Sequence, residues 1–270
     1  MKKSEKNYVF ASYDHLLFFR DFSLSENHKH MMMHLTVDME GIMSCVLNGE
    51  QVETYGYFLN SKVTHYRVAE SISGSKKMVF LIAPGSMLAE SLQEKLGQNP
   101  YLLLTKEERE KVVNIWKSGM GDFGQKTDET KDCYRKTIER IFQSFSLKRS
   151  VEQKMDERIF GAVKKIESQT GLEENLLYDI LSEAGLSKSR FLHLFKENIG
   201  TSYKDYILMK KFMRTWKNLS LGMNITEACI DGGFCDSSHF SHFMSDCFGI
   251  TTKSELSNLE KIYFIPPGKS

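Results

Sequence analysis

The chain has 270 residues, 41% of them hydrophobic and 26% charged, with a formal net charge of +1. That length suits two ordinary domains, each able to bury a core, and the composition is that of a soluble globular protein rather than a disordered one. No run of about 18 apolar residues is present to span a membrane, the five cysteines form no CxxC pair and read as reduced thiols, and the basic N-terminus lacks the apolar run and cleavage site of a signal peptide, so a cytoplasmic location is expected.

In chain order, residues 31 to 83 read as strands. Within "MSCVLNGEQVETY" the pair Asn48-Gly49 separates two β-prone runs, the residue pair that a two-residue type I′ hairpin turn requires. "VTHYRV" and "MVFLIA" are further short runs rich in β-branched and aromatic residues, as in a small barrel or sandwich. Pro84-Gly85 closes this region, and the period then becomes helical. "SMLAESLQEKLG" ends in Gly97, a suitable helix C-cap, and "TKEEREKVVNIWKSG" opens with the capping box Thr105 and Glu108. In "DETKDCYRKTIERIFQSF" the residues Tyr134, Ile138, Ile141, Phe142 and Phe145 make one apolar stripe. That stripe covers the sheet, pairs with its copy in a dimer, or does both. The polar stretch 147–154 reads as a linker, and everything beyond it is helical in pattern.

The expected fold class is therefore α+β: a β-barrel domain over 1–146, helical from about 86 to 146, then the linker and an all-α domain over 155–270. Inside the latter lies a repeat. Laying "GLSKSRFLHLFKENIGTS" over "GFCDSSHFSHFMSDCFGIT" puts Phe191 on Phe240, His193 on His242, Phe195 on Met244 and Gly200 on Gly249. Each segment follows an apolar helix and a short glycine-containing turn, which is the helix-turn-helix plan, here in two copies joined by a helix near 202–219. Phe240, Phe243, Met244 and Cys247 fall at i, i+3, i+4 and i+7 and face inward. Ser237, Ser238, His239, Ser241 and His242 are left outside, as Lys188, Ser189, Arg190, His193 and Lys196 are in the first copy. Hydroxyls, cations and imidazoles of this kind reach phosphates and base edges, so helices near 187–197 and 237–247 are the candidate readers of a major groove.

The spaced residues of "GLSKSRFLHLFKENIG", "YKDYILMKKF" and "ITEACIDGGFCDSSHFSHF" resemble the DNA-binding domain of AraC/XylS-type bacterial transcription regulators over about 155–255. The β-rich first half, with its histidine pair and Asn-Gly hairpin, is similar to the cupin-like effector and dimerisation domain often found in that family. The resemblance implies a regulator, not an enzyme and without a cofactor, that binds double-stranded promoter DNA as a homodimer. It further implies an activator that recruits RNA polymerase and responds to a small-molecule effector. The sequence also departs from the family pattern. Histidines 193 and 242 stand where arginine is common, Met244-Ser245 replaces Phe-Lys, Lys211-Phe212 replaces Arg-Leu, and Thr251-Thr252 replaces Thr-Pro.

Charge is divided unevenly between the two copies. Residues 181–220 hold eight Lys or Arg against three Asp or Glu, whereas 221–260 hold one lysine against six acids. Lys188, Arg190 and Lys196, with Lys210, Lys211 and Arg214 on the backbone phosphates, are expected to supply most of the attraction to DNA. If His193 and His242 contribute as cations, binding weakens as pH rises through about 6.5, the ordinary imidazole value.

His28, His30 and His65 are the candidate effector-pocket residues; His28-x-His30 has the alternation of two ligands on one strand face, but no glycine-rich lead precedes it. Cys229, Cys235, Cys247, His239 and His242 do not read as a zinc site, because the repeat sends the cysteines at 229 and 247 inward and the histidines outward. Met31-Met32-Met33 reads as core filler. Two alternative functions stay open: a metal-dependent cupin enzyme fused to helices, and a regulator whose degenerate second unit acts through protein contacts.

Overall fold

The computed structural model describes residues 7–12, 14–21, 27–29, 31–68, 76–121, 127–148, 155–169, 175–248 and 259–265. The hairpin forms where the turn chemistry places it. Strands β4 (Met43–Leu47) and β5 (Glu50–Thr54) are joined by Asn48 and Gly49, at φ 52° and 85°, the positive values that a type I′ turn needs. With β7 (His65–Arg67) they make a three-stranded sheet in the order β5-β4-β7.

The larger sheet has seven strands: β1 (Asn7–Ser12), β2 (His15–Asp21), β3 (Met33–Asp38), β6 (Gly56–Leu59), β8 (Lys76–Ile82), β9 (Tyr101–Leu103) and β10 (Leu259–Ile265), in the order β10-β1-β2-β8-β3-β6-β9. All neighbours are antiparallel except β1 and β10, which run parallel from Asn7 against Leu259 to Ser12 against Ile265. Among the described residues, the last third of the chain is helical as its pattern predicts, apart from β10, which returns to the edge of the N-terminal sheet.

Alternation along these strands sends successive side chains to opposite faces. One face carries Phe10, Leu17, Phe19, Leu35, Phe58, Phe80 and Tyr263. It is covered by α1 (Met87–Leu96), α2 (Lys106–Met120) and α3 (Thr127–Ser144). The stripe Tyr134, Ile138, Ile141, Phe142 and Phe145 of α3 is buried in this core, so the chain's own sheet covers it. The predicted capping box on α2 is present, with Glu108 N–H donating to Thr105 Oγ1 (3.2 Å) and Thr105 N–H to Glu108 Oε2 (2.8 Å). A buried polar chain also ties β2 to α3. His15 Nδ1 lies 2.7 Å from Asp14 Oδ1, and its Nε2 lies 2.6 Å from the Tyr134 hydroxyl. Since the carboxylate only accepts, Nδ1 donates to it, and in the neutral ring Nε2 is then the acceptor for the tyrosine hydroxyl.

The opposite face is shared. At the β3–β6 end, Tyr57 and Leu59 pack with Met43, Cys45 and Leu47 of the small sheet. At the β1–β2–β8 end, Val9, Ala11, Leu16, Phe18 and Leu81 join a single core with the helices of the C-terminal half. The two halves thus share apolar surface, and a protein of this size gains most of its stability from burial of that kind.

Candidate nucleic-acid interface

The C-terminal helices are α4 (Glu157–Ser168), α5 (Leu176–Ala184), α6 (Lys188–Ile199), α7 (Tyr203–Ser220), α8 (Ile225–Gly232) and α9 (Ser237–Phe248). Side-chain caps fix the starts of α6, α7, α8 and α9. Ser187 Oγ accepts from Arg190 N–H (3.4 Å), Ser202 Oγ from Asp205 N–H (3.1 Å), Asn224 Oδ1 from Glu227 N–H (3.0 Å) and Asp236 Oδ1 from His239 N–H (2.7 Å). The first helix of each pair, α5 and α8, stops at a glycine in the left-handed region, Gly185 (φ 62°) and Gly233 (φ 97°), where a side chain would be strained. The units α5–α6 and α8–α9 are therefore two helix-turn-helix arrangements with α7 between them.

The inward stripes are those that the repeat predicts. Phe191, Leu194 and Phe195 of α6 and Phe240, Phe243 and Met244 of α9 are buried together with Phe212 and Trp216 of α7. The second unit seats tightly on α7. A Cβ on Gly232 would lie 2.2 Å from Thr215 Oγ1, and the Asn218 amide donates to the Ala228 carbonyl (3.3 Å) and to Asp231 Oδ2 (2.7 Å).

Lys188, Ser189, Arg190, His193 and Lys196 are exposed on α6, and Ser238, His239 and His242 on α9. Ser237 and Ser241 are half-buried, and Ser241 Oγ donates to the Ser237 carbonyl of its own helix (2.8 Å). His193 Nδ1 lies 3.2 Å from Glu197 Oε2 one turn on, a partner the sequence announces only by the i, i+4 spacing. His239 sets its ring edge against Phe234, centroids 5.2 Å apart. Neither α9 nor the turn before it carries a lysine or arginine.

The predicted phosphate contacts on α7 are placed differently from one another. Lys210 Nζ sits 2.9 Å from Glu167 Oε1 of α4 and over the Tyr206 ring. Burial works against its charge, but Tyr206 and Glu167 more than offset that and hold the ammonium above the usual lysine value. The Arg214 guanidinium donates to the Gln169 carbonyl just past α4, and burial pulls it below its usual value against the attraction of Asp231. Lys211 lays its aliphatic stem along Gly233 at the turn of the second unit. Charge runs in a sequence do not reveal that α4 and the residue just past it engage two of these three cations.

His28 and His65 face each other across a two-stranded bridge, with backbone hydrogen bonds of 3.2 and 3.0 Å and ring centroids 4.2 Å apart. His34 stands against His65 at 4.6 Å. Burial first, and the neighbouring His28 second, push His65 down to about 3, so it is neutral near pH 7. These rings fill space between the two sheets. His30 lies outside the described residues, as does the side chain of Cys247. Cys229 is buried, its thiol pushed up to about 11 by burial and by Asp236, while His239 and His242 are exposed on α9, so these groups diverge.

A cavity of about 340 Å³ separates the halves, between α1, the N-terminal end of β3, Pro84-Gly85 and the C-terminal end of α6. Nothing in the sequence pattern marks it, because its walls, which include Ser61, come from five separate stretches of the chain.

Residues 180–255 match the family model described as a helix-turn-helix domain. No curated protein matches the chain. Among solved structures, apo ToxT from Vibrio cholerae superposes with a TM-score of 0.54 at 14% identity, over 91% of this chain and 98% of that one. The unsaturated fatty acid-bound form of ToxT gives 0.50 at 14% identity, over 96% and 98%. These likenesses are of fold, a sheet domain followed by helices. Residues 180–255 thus form a helix-turn-helix domain of the kind that the model describes, with two helix pairs that each turn an apolar stripe inward and polar residues outward.

Proposed function

We propose that α6 and α9 read successive major grooves of double-stranded promoter DNA, and that the first unit supplies most of the attraction. The carrying observation is that both helices bury every large apolar side chain described in them, apart from the half-buried Leu192 of α6, and leave hydroxyl, cationic and imidazole groups outside. Cations on α6 neutralise phosphates, whereas α9 has only hydroxyls and imidazoles to offer base edges. The family resemblance supports an activator acting as a homodimer through RNA polymerase in the cytoplasm. The cavity between the halves supports a small effector, held where it touches both. Footprinting on upstream DNA tests the reading: two protected patches about one helical turn apart are expected. A footprint limited to bulk, sequence-independent binding at physiological salt overturns it.

One observation favours a second reading. Leu221, Met223 and Ile230 are 67%, 37% and 56% exposed at the α7–α8 corner, beside Glu227 and Asp231. An acidic unit with exposed apolar residues suits contact with a protein. Under that reading, alanine at Ser238 and His242 leaves DNA affinity unchanged while alanine at Leu221 and Ile230 abolishes activation.

A further inference from the structure

The cavity between the halves is lined by Met31, Met33, Ile82, Ala89 and Ile199, and several polar side chains on its walls are already engaged. Asn198 Nδ2 donates to the Leu194 carbonyl (2.8 Å) and Asn198 Oδ1 accepts from Asp156 N–H (2.9 Å). Gln93 donates to the Gly97 carbonyl (3.0 Å), and Glu197 has His193 beside it at 3.2 Å. Thr201, just past α6, differs from these. It lines the cavity and is 5% exposed, and its Oγ1 is buried with no hydrogen-bond partner among the described residues. A buried hydroxyl left unpaired is unfavourable, and one polar atom of a ligand can answer it. α6 also ends on this wall at Gly200, and the last carbonyls of a helix have no partner within it. On the α1 wall, Glu90 is held above the usual carboxylate value, by burial first and by Glu94 second, so a further negative charge is disfavoured there.

We propose that this cavity binds a short, neutral aliphatic alcohol, its hydroxyl at Thr201 Oγ1 and its carbon chain against Met31, Met33 and Ile82. The inference rests on the effector reading above and gives that effector its chemical class. At about 340 Å³ the cavity falls at the small end of ligand pockets, which suits a chain of about six carbons. The apolar lining selects the chain, and Thr201 fixes which end enters first. A ligand hydroxyl accepts from Thr201 and still has a proton to donate to a carbonyl at the end of α6, whereas a carboxylate or a ketone can only accept. Once seated, the alcohol touches β3 and β8 of the sheet on one side and the end of α6 on the other, so it ties the first helix-turn-helix unit to the sheet.

Thermal unfolding of the full chain with 1-hexanol tests the proposal, with hexanoate and hexylamine as charged probes of the same length. At about a hundredfold excess over its dissociation constant, hexanol is expected to raise Tm by about 5 °C, and each charged probe to bind at least about tenfold more weakly. Thr201→Val removes the hydroxyl and keeps the shape, so it is expected to fold normally by circular dichroism and to weaken hexanol binding about tenfold. Thr201→Ser keeps the hydroxyl and is expected to retain the response. General denaturation by an alcohol lowers Tm in all three proteins alike and does not mimic this pattern. A hexanol shift that survives in Thr201→Val, an equal or larger response to hexanoate or hexylamine, or no response to any probe overturns the proposal. A response to a charged probe alone leaves an effector site standing and removes its neutrality, whereas silence toward all three removes the effector reading as well. Footprinting by the ligand-free chain reports separately on the DNA-reading function.

Discussion

Phe18 of β2 meets Trp216 of α7 edge-on, ring centroids 5.4 Å apart and planes at 83°. Both side chains are buried, so an aromatic pair of the favoured T-shaped geometry joins the sheet to the helix that connects the two helix-turn-helix units. Truncating Trp216 to alanine removes the largest side chain of that shared core. The expected cost is about 3–5 kcal/mol, and a single urea transition is expected to separate into two as the halves uncouple. Denaturation followed both by far-UV circular dichroism and by the fluorescence of the remaining Trp116 checks this.

The cations of α6 and α7 are expected to behave differently in salt. Lys188 and Arg190 are exposed, so replacing both with alanine is expected to reduce the slope of log affinity against log salt by about one for each phosphate left without its cation. Lys210 is 22% exposed and engaged with Glu167, so Lys210→Ala is expected to leave the slope unchanged and to cost about 1 kcal/mol of stability. Alanine at Ser238 and His242 is expected to leave the slope alone and to flatten discrimination between promoter sequences. Filter binding at several salt concentrations distinguishes the three outcomes.

His65 makes stability depend on pH. Its folded-state value of about 3 lies below the ordinary 6.5, so between those limits the unfolded chain binds the extra proton. Stability is complete above pH 6.5 and is lost as pH falls toward 3, at up to about 1.4 kcal/mol per pH unit for this one group. Urea titrations at pH 7 and pH 5 are expected to show the loss, and His65→Phe to make the profile shallower.

Gly232→Ala probes the seating of the second unit on α7. Its Cβ would collide with Thr215 Oγ1, a strain of about 1–3 kcal/mol in a packed interior. Adding Thr215→Ala removes the colliding atom and is expected to recover most of the loss. Hydrogen exchange is expected to rise in α8 and α9 and to stay unchanged in α5 and α6.

The helix-turn-helix units were legible because three local signals agree at each: a cap residue, a left-handed glycine and an i, i+3, i+4 apolar stripe. Phe191 and Phe240 could be named as core from spacing alone. The hairpin at Asn48-Gly49 was legible for the same reason, since the turn needs those two residues. β10 was not. Both faces of this strand are covered, by Tyr263 and Ile265 on one side and Ile262 and Phe264 on the other, so it lacks the polar alternation of a half-exposed strand. Its partner lies at the other end of the chain. Spacing shows that cations stand at Lys210 and Arg214, not that Glu167 and Gln169 engage them. The cavity is not legible in the sequence because its five stretches are brought together only by the fold.

The parallel pairing of β1 with β10 also constrains how the protein is made. The strand that completes β1 is separated from it by nearly the whole sequence, so while the ribosome is at work β1 is an apolar edge awaiting a neighbour. The fold therefore closes after synthesis of β10, and until then Phe10 lacks the ring of Tyr263 that stacks on it at 5.0 Å. A nascent chain stalled before residue 259 lacks the partner of that edge, so the sheet is the last part of the fold to be completed.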